Sequence, residues 1–111
     1  MRRKPLRWFG DSLNAVRAFP SEARHRVGTE LRYVQEGEMP SDWKPMAAVG
    51  SGVNEIRVHF GGEYRVLYVA RFAERVYVLH AFAKKTRRTP KRDIYLAAKR
   101  YRDLVVERRG M

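Results

Sequence analysis

The sequence predicts an α+β fold, with N-terminal helices packed on one face of a short antiparallel sheet and a further helix at the C-terminus. Three observations lead there. Ala23, Val27, Leu31 and Val34 recur at helical spacing through residues 21–36. Segments 53–60, 63–72 and 75–84 alternate side chains in the manner of half-buried strands. Thr89 and Pro90 then open a last helix, as N-cap and first helical residue, whose apolar stripe is Ile94, Ala97, Ala98, Tyr101, Leu104 and Val105.

Taken in order, residues 6–9 (Leu-Arg-Trp-Phe) are a short strand candidate. Asp11 or Ser12 can cap a short helix carrying Leu13, Val16 and Phe19 on one side. Pro20 interrupts it at a position suited to the first turn of the next helix, and Gly37 is the natural stop of that helix. Residues 38–52 hold two prolines and two glycines more than a pattern, and are expected to be a loop without regular structure.

The turns decide which strand faces meet. A two-residue Gly61-Gly62 turn would pair Phe60 with Glu63 and place Arg65 beside Ile56 and Val58, inside the core. Burying an unpaired arginine costs several kcal/mol, on the order of a whole side chain's apolar burial. An odd loop with a glycine bulge, pairing Phe60 with Tyr64, avoids this. A turn centred on Ala73-Glu74 pairs Phe72 with Arg75, and sets Arg65 opposite Phe82 and Leu67 opposite His80. The sheet then has an apolar side under the helices and a cationic side carrying Arg57, His59, Arg65, His80, Phe82 and Lys84.

Composition bears on partners. The 111 residues suit one domain, and 24 Lys and Arg face 12 Asp and Glu, for a net charge of +12. Self-repulsion on so small a body is a cost that points to a polyanionic partner: nucleic acid, a ribosome or an acidic protein segment. There is no cysteine, which excludes disulfides and thiolate metal sites. No apolar run approaches membrane-spanning length and no signal-type apolar stretch follows the basic start, so a cytoplasmic protein is expected.

The densest signal is the run from Lys84 to Arg92, where Lys84, Lys85, Arg87, Arg88, Lys91 and Arg92 stand without an acid among them. A solvated loop is the plain alternative, but this run ends the strand that carries His80 and Phe82, and phosphate backbones are bound by such charge. His80, with Arg65 and Lys84 nearby to favour the neutral ring, could serve as general base on a ribose 2′-hydroxyl. His59 lies nearer the hairpin tip, and His25 on a polar helix face. Arg57 and Arg65 are planar forks suited to phosphate oxygens, and Phe82 could stack on a nucleobase. No Walker-type phosphate loop and no cluster at metal-ligand spacing occurs. Glu55 is the one obvious acid on the cationic face, which argues against a two-metal nuclease.

These same residues carry a resemblance. Gly52-Val53-Asn54-Glu55-Ile56-Arg57, Tyr64-Arg65-Val66-Leu67-Tyr68, the stretch Val76-Tyr77-Val78-Leu79-His80-Ala81-Phe82-Ala83-Lys84-Lys85-Thr86 and Thr89-Pro90 resemble the phage-related HigB branch of the RelE/ParE toxin superfamily. The likeness runs from Trp8-Phe9-Gly10 through Phe19-Pro20 to the last helix, and its most specific part is Leu-His-Ala-Phe-x-Lys-Lys before Thr-Pro. It implies a small RelE-like fold with helices on one face of an antiparallel sheet. It implies metal-independent cleavage of messenger RNA on the ribosome, with no cofactor. It also implies neutralisation by an antitoxin, in this branch usually a helix-turn-helix HigA-like protein. By position, Arg57 and Arg65 match basic strand residues of RelE-type sites, and Lys84 and Lys85 fall where basic residues follow the last strand. Glu55 stands where such sites often carry a second basic residue. The ParE side of the superfamily inhibits DNA gyrase instead, so two alternatives stay beside the nuclease: a gyrase inhibitor and a non-catalytic nucleic-acid-binding module.

Overall fold

The computed structural model describes residues 3–111. In chain order the elements are β1 (Leu6–Trp8), α1 (Ser12–Arg17), α2 (Ser21–Gln35), β2 (Trp43–Pro45), β3 (Val53–His59), β4 (Glu63–Val69), β5 (Val76–Ala83) and α3 (Lys91–Arg109). The five strands form one sheet in the order β1-β5-β4-β3-β2. Every neighbouring pair is antiparallel except β1 and β5, so the sheet is mixed at one edge. Pro20 and Pro90 are the N-cap residues of α2 and α3, one position outside the first helical turn, with ψ near 149° and 145°. Their fixed φ suits either position, and Thr89 therefore falls outside α3. Asp11 is the N-cap of α1 by position but gives the helix no side-chain hydrogen bond. β2 lies inside the stretch expected to be irregular. It is a three-residue edge with no buried position, so it carries no alternation to read.

The two faces of the sheet are both covered. Val16 of α1, Phe19 of the link that follows it, and Ala23, Val27, Leu31 and Val34 of α2 pack on Ile56, Val58, Tyr64, Val66, Tyr68, Val76, Val78 and Ala81. On the opposite side Ala97 and Leu104 of α3 pack with Phe9, Val49, Val53, Leu67, Val69, Tyr77, Leu79 and Phe82. The N-terminal helices thus lie on one face as expected, whereas the cationic face, expected to lie open, is partly roofed by α3. The reason is the second apolar patch formed by Leu67, Val69, Tyr77 and Leu79, which water would otherwise meet.

Both turns close differently from expectation. In the first hairpin His59 pairs with Glu63 and Val58 with Tyr64, which leaves Phe60, Gly61 and Gly62 as the loop. The shift is two positions in register, so the same side chains still share a face. Gly61, at φ +65°, supplies the left-handed residue the short loop needs, and half-exposed Phe60 lies under the Arg26 guanidinium. Between β4 and β5 there is no two-residue turn. Residues 70–75 form a longer link in which Phe72 is flanked by the guanidiniums of Arg71 and Arg108. Glu74 accepts hydrogen bonds from Arg108 and Tyr77, and its carboxyl is held down to about 2, by Arg108 first and Tyr77 second.

The expected pairs Arg65 with Phe82 and Leu67 with His80 are present, but Tyr68 pairs with Val78, so Leu79 is a bulge. One extra residue reverses the alternation of β5. Val76 and Val78 therefore join the α1–α2 core, while Tyr77 and Leu79 share the α3 side with His80 and Phe82.

The docking of α3 can be checked directly. Leu104, fully buried under it, changed to Ala should cost about 2–5 kcal/mol. Val106→Ala, on the exposed side of the same helix, should stay within about 0.5 kcal/mol in urea unfolding.

Candidate nucleic-acid interface

Three cross-strand rows build the site on the α3 side of the sheet. Glu55, Leu67 and His80 form the first, and Arg57, Arg65 and Phe82 the second. The third is His59 opposite Glu63, with the Lys84 amide donating to the Glu63 carbonyl at 2.7 Å. Sequence reasoning thus brought the right side chains to one face, but it misjudged their exposure. Arg65 is 3% exposed, His80 5% and Phe82 9%. Phe82 is a core residue rather than an open stacking platform, because α3 and its neighbours roof the row.

Two arginines directly opposite one another on neighbouring strands repel, so this row needs acids around it. Arg65 Nη2 donates to Glu63 Oε1 at 3.0 Å and Nη1 to the Tyr64 carbonyl at 3.0 Å. Its Nε lies 3.7 Å from Glu55 Oε1, and Lys44 Nζ lies 4.0 Å from the same oxygen. Glu55 is 1% exposed, and its Oε2 has no hydrogen-bond partner; Arg57 Nε and Arg65 Nε are likewise buried without one. Glu55 is not alone on this side: Glu63 and, from α3, Asp93 join it. Glu55 is a buried counter-ion to Arg65.

His59, exposed at the rim, bridges two acids, with Nδ1 2.6 Å from Glu63 Oε1 and Nε2 2.7 Å from Asp42 Oδ2. The Glu63 hydrogen bond first, and the Asp42 bond next, raise its pKa above the ordinary 6.5. Glu63 is lowered from 4.5 by His59 and then Arg65. This clasp ties the segment before β2 to the first hairpin.

His80 is engaged at both nitrogens. Nε2 lies 2.7 Å from Asp93 Oδ1, and Arg100 Nη1 lies 3.0 Å from Nδ1. Arg100 and Asp93 are site residues that sequence reasoning missed. Their signal was weak: each is one charged residue among several on a charged helix, and only the docking of α3 brings them to β5.

Lys85, Arg87 and Arg88 are exposed in the link to α3, as are Lys91 and Arg92 in its first turn. Lys84 is half-buried and donates to the Arg87 carbonyl at 2.8 Å, and Thr86 to the Arg88 carbonyl at 2.6 Å, so the link is folded on itself. Cations in a first turn oppose the helix dipole, which makes this end a strong positive focus for an anion. Among the described residues no group of three His, Asp or Glu converges as metal ligands, and no helix is long and apolar enough to cross a membrane.

Two measurements follow. Arg65→Ala should destabilise by about 3–5 kcal/mol, because it strands buried Glu55, and Glu55→Ala added to it should return part of that loss. For the clasp, the raised His59 contributes fully below 6.5 and loses its contribution as pH rises through its folded value. The lowered Glu63 contributes fully above 4.5 and loses its share as pH falls through its folded value. Stability should therefore carry a component that is greatest between 4.5 and 6.5 and that His59→Gln removes, read from urea midpoints against pH.

No curated protein matches the chain in sequence. Residues 14–102 match the family described as phage-derived protein Gp49-like (DUF891), a family of the RelE toxin-like group. That span takes in every row of the site, and the chain belongs to the phage-derived Gp49-like family.

Proposed function

We propose that this protein is the toxin of a type II toxin–antitoxin pair, a HigB-like endoribonuclease that cuts messenger RNA on the ribosome without a metal of its own. The observation that carries the reading is the Arg57–Arg65 row set beside the exposed cations Lys85, Arg87, Arg88, Lys91 and Arg92. A binder needs surface charge alone. This molecule also buries Arg65 with two carboxylates beside it, directly opposite the more exposed Arg57, which holds the row in one geometry. The substrate's own 2′-hydroxyl attacks the adjacent phosphate. Its proton passes to water, the 5′-oxygen of the next nucleotide departs and takes up a proton from water, and a 2′,3′-cyclic phosphate remains. Arg57, Lys84 and Lys85 stabilise the dianionic phosphorane, Arg65 supports Arg57 from the neighbouring strand without touching the substrate, and Arg87, Arg88, Lys91 and Arg92 hold the strand. The resemblance supports a helix-turn-helix HigA-like antitoxin as the partner that restrains this activity, and the cytoplasm as its site.

The test is expression in bacterial cells with primer extension on total messenger RNA. Wild type should give new 5′ ends within translated frames. Arg57→Gln and Lys85→Gln should each lower single-turnover cleavage by about 10²–10³-fold, with the urea midpoint little changed. Toxin stripped with chelator and returned to a translation extract containing magnesium alone should cut as before. Intact messenger RNA together with gyrase-linked DNA breaks would move the protein to the non-catalytic, ParE-like reading.

A further inference from the structure

His80 lies where a proton carrier was expected, yet its surroundings suit a different task. An arginine guanidinium has only donors, so Arg100 Nη1 at 3.0 Å requires a lone pair on Nδ1. The ring proton then sits on Nε2 and is donated to Asp93 Oδ1 at 2.7 Å. Arg100 is itself fixed from two further sides, donating to the Leu79 carbonyl at 3.1 Å and to Asp11 Oδ1 at 2.8 Å. Asp11 is held below its ordinary value first by that Arg100 hydrogen bond. Gly10, at φ +54°, leaves the guanidinium its room, since a Cβ there would collide with Arg100 Nε. The His80 ring lies nearly parallel to Phe82, with centroids 5.4 Å apart and planes at 25°, and Phe82 is the cross-strand neighbour of Arg65.

We infer that His80 is a positioning residue, locked by Asp93 and Arg100 as the neutral Nε2–H tautomer, which holds Phe82 behind Arg65 and carries no proton in the reaction. A general base needs a free lone pair facing substrate. Here the one lone pair is closed by Arg100, and the ring is nearly enclosed. The link to cleavage rests on the ribonuclease reading, whereas the tautomer lock does not.

The experiment uses the full chain with ¹⁵N-labelled histidine. Two-bond ¹H–¹⁵N spectra at neutral pH should show His80 with one protonated nitrogen, Nε2, and Arg100→Met should shift it toward a mixture of tautomers. An imidazolium or an Nδ1–H ring in the wild type would overturn the lock. In single-turnover cleavage on programmed ribosomes, His80→Gln can still donate to Asp93 and accept from Arg100. It should stay within about tenfold of wild type with an unchanged pH profile, while His80→Ala falls by about a hundredfold or more. A proton carrier would instead lose about 10²–10⁴-fold in His80→Gln and change its pH profile. Should His80→Gln fail to fold, as judged by the Phe82 ring signals, Asp93→Asn decides. Its amide oxygen still accepts from Nε2–H, so cleavage near the wild-type rate supports positioning, and a loss of about a hundredfold or more restores proton transfer. A wild-type protein that cuts no RNA would sink the ribonuclease reading and leave the spectra to decide the lock.

Discussion

The single extra residue at Leu79 is the constraint on which the rest of the structure depends. Without it β5 would alternate regularly, and Val76 and Val78 would share a face with His80 and Phe82. With it, one strand serves two cores, sending valines under α1 and α2 and then Tyr77 and Leu79 under α3. The bulge also sets the carbonyl of Leu79 where Arg100 can reach it, and so helps fix the angle at which α3 crosses the sheet. The cationic rows then fall partly beneath the helix and partly beyond its first turn.

That division separates the arginines by task. Arg65 lies under cover, with its charge balanced by Glu55 and Glu63, and is held in one orientation. Arg57 and Lys84 are half-buried, while Lys85, Arg87, Arg88, Lys91 and Arg92 lie in water. Exposed lysines are cheap to place and free to follow a flexible phosphate chain. A buried guanidinium is costly to place and cannot drift, which suits a fixed support behind the exposed cations rather than a contact to the strand itself. Glu55, hidden behind such a group, lowers the cost of burying it without facing an incoming polyanion, while Glu63 stays half-exposed at the rim.

Much of this was legible in the sequence, and for physical reasons. Helix α2 shows a clean apolar stripe because only one of its faces is buried. The pairs Arg65 with Phe82 and Leu67 with His80 were expected from an Ala73-Glu74 turn that does not form, and they occur because the bulge at Leu79 offsets the longer link. What could not be read were properties of the second core. Strands buried on both faces lose the contrast between inward and outward residues, so the bulge at Leu79 left no trace in the pattern. The roof formed by α3 turned an open cationic face into a half-covered one, and with it Phe82 from a stacking ring into a core ring. Asp93 and Arg100 became visible as partners of His80 only once that helix was docked. β2, too short to alternate, was silent for its own reason.

The shortness of β2 and β1 has a consequence for life at high concentration. Each border of the sheet is a strand of three residues, one containing Pro45 and the other beginning directly after Pro5. A proline has no amide to offer, and three residues leave little ladder for a neighbour to extend. Another molecule, or a nascent chain emerging beside it, finds no long row of unpaired amides on which to grow. Two minimal strands thus shield the longer, more adhesive β3, β4 and β5 from fibre-like association, leaving the protein's surface charge to govern what it meets.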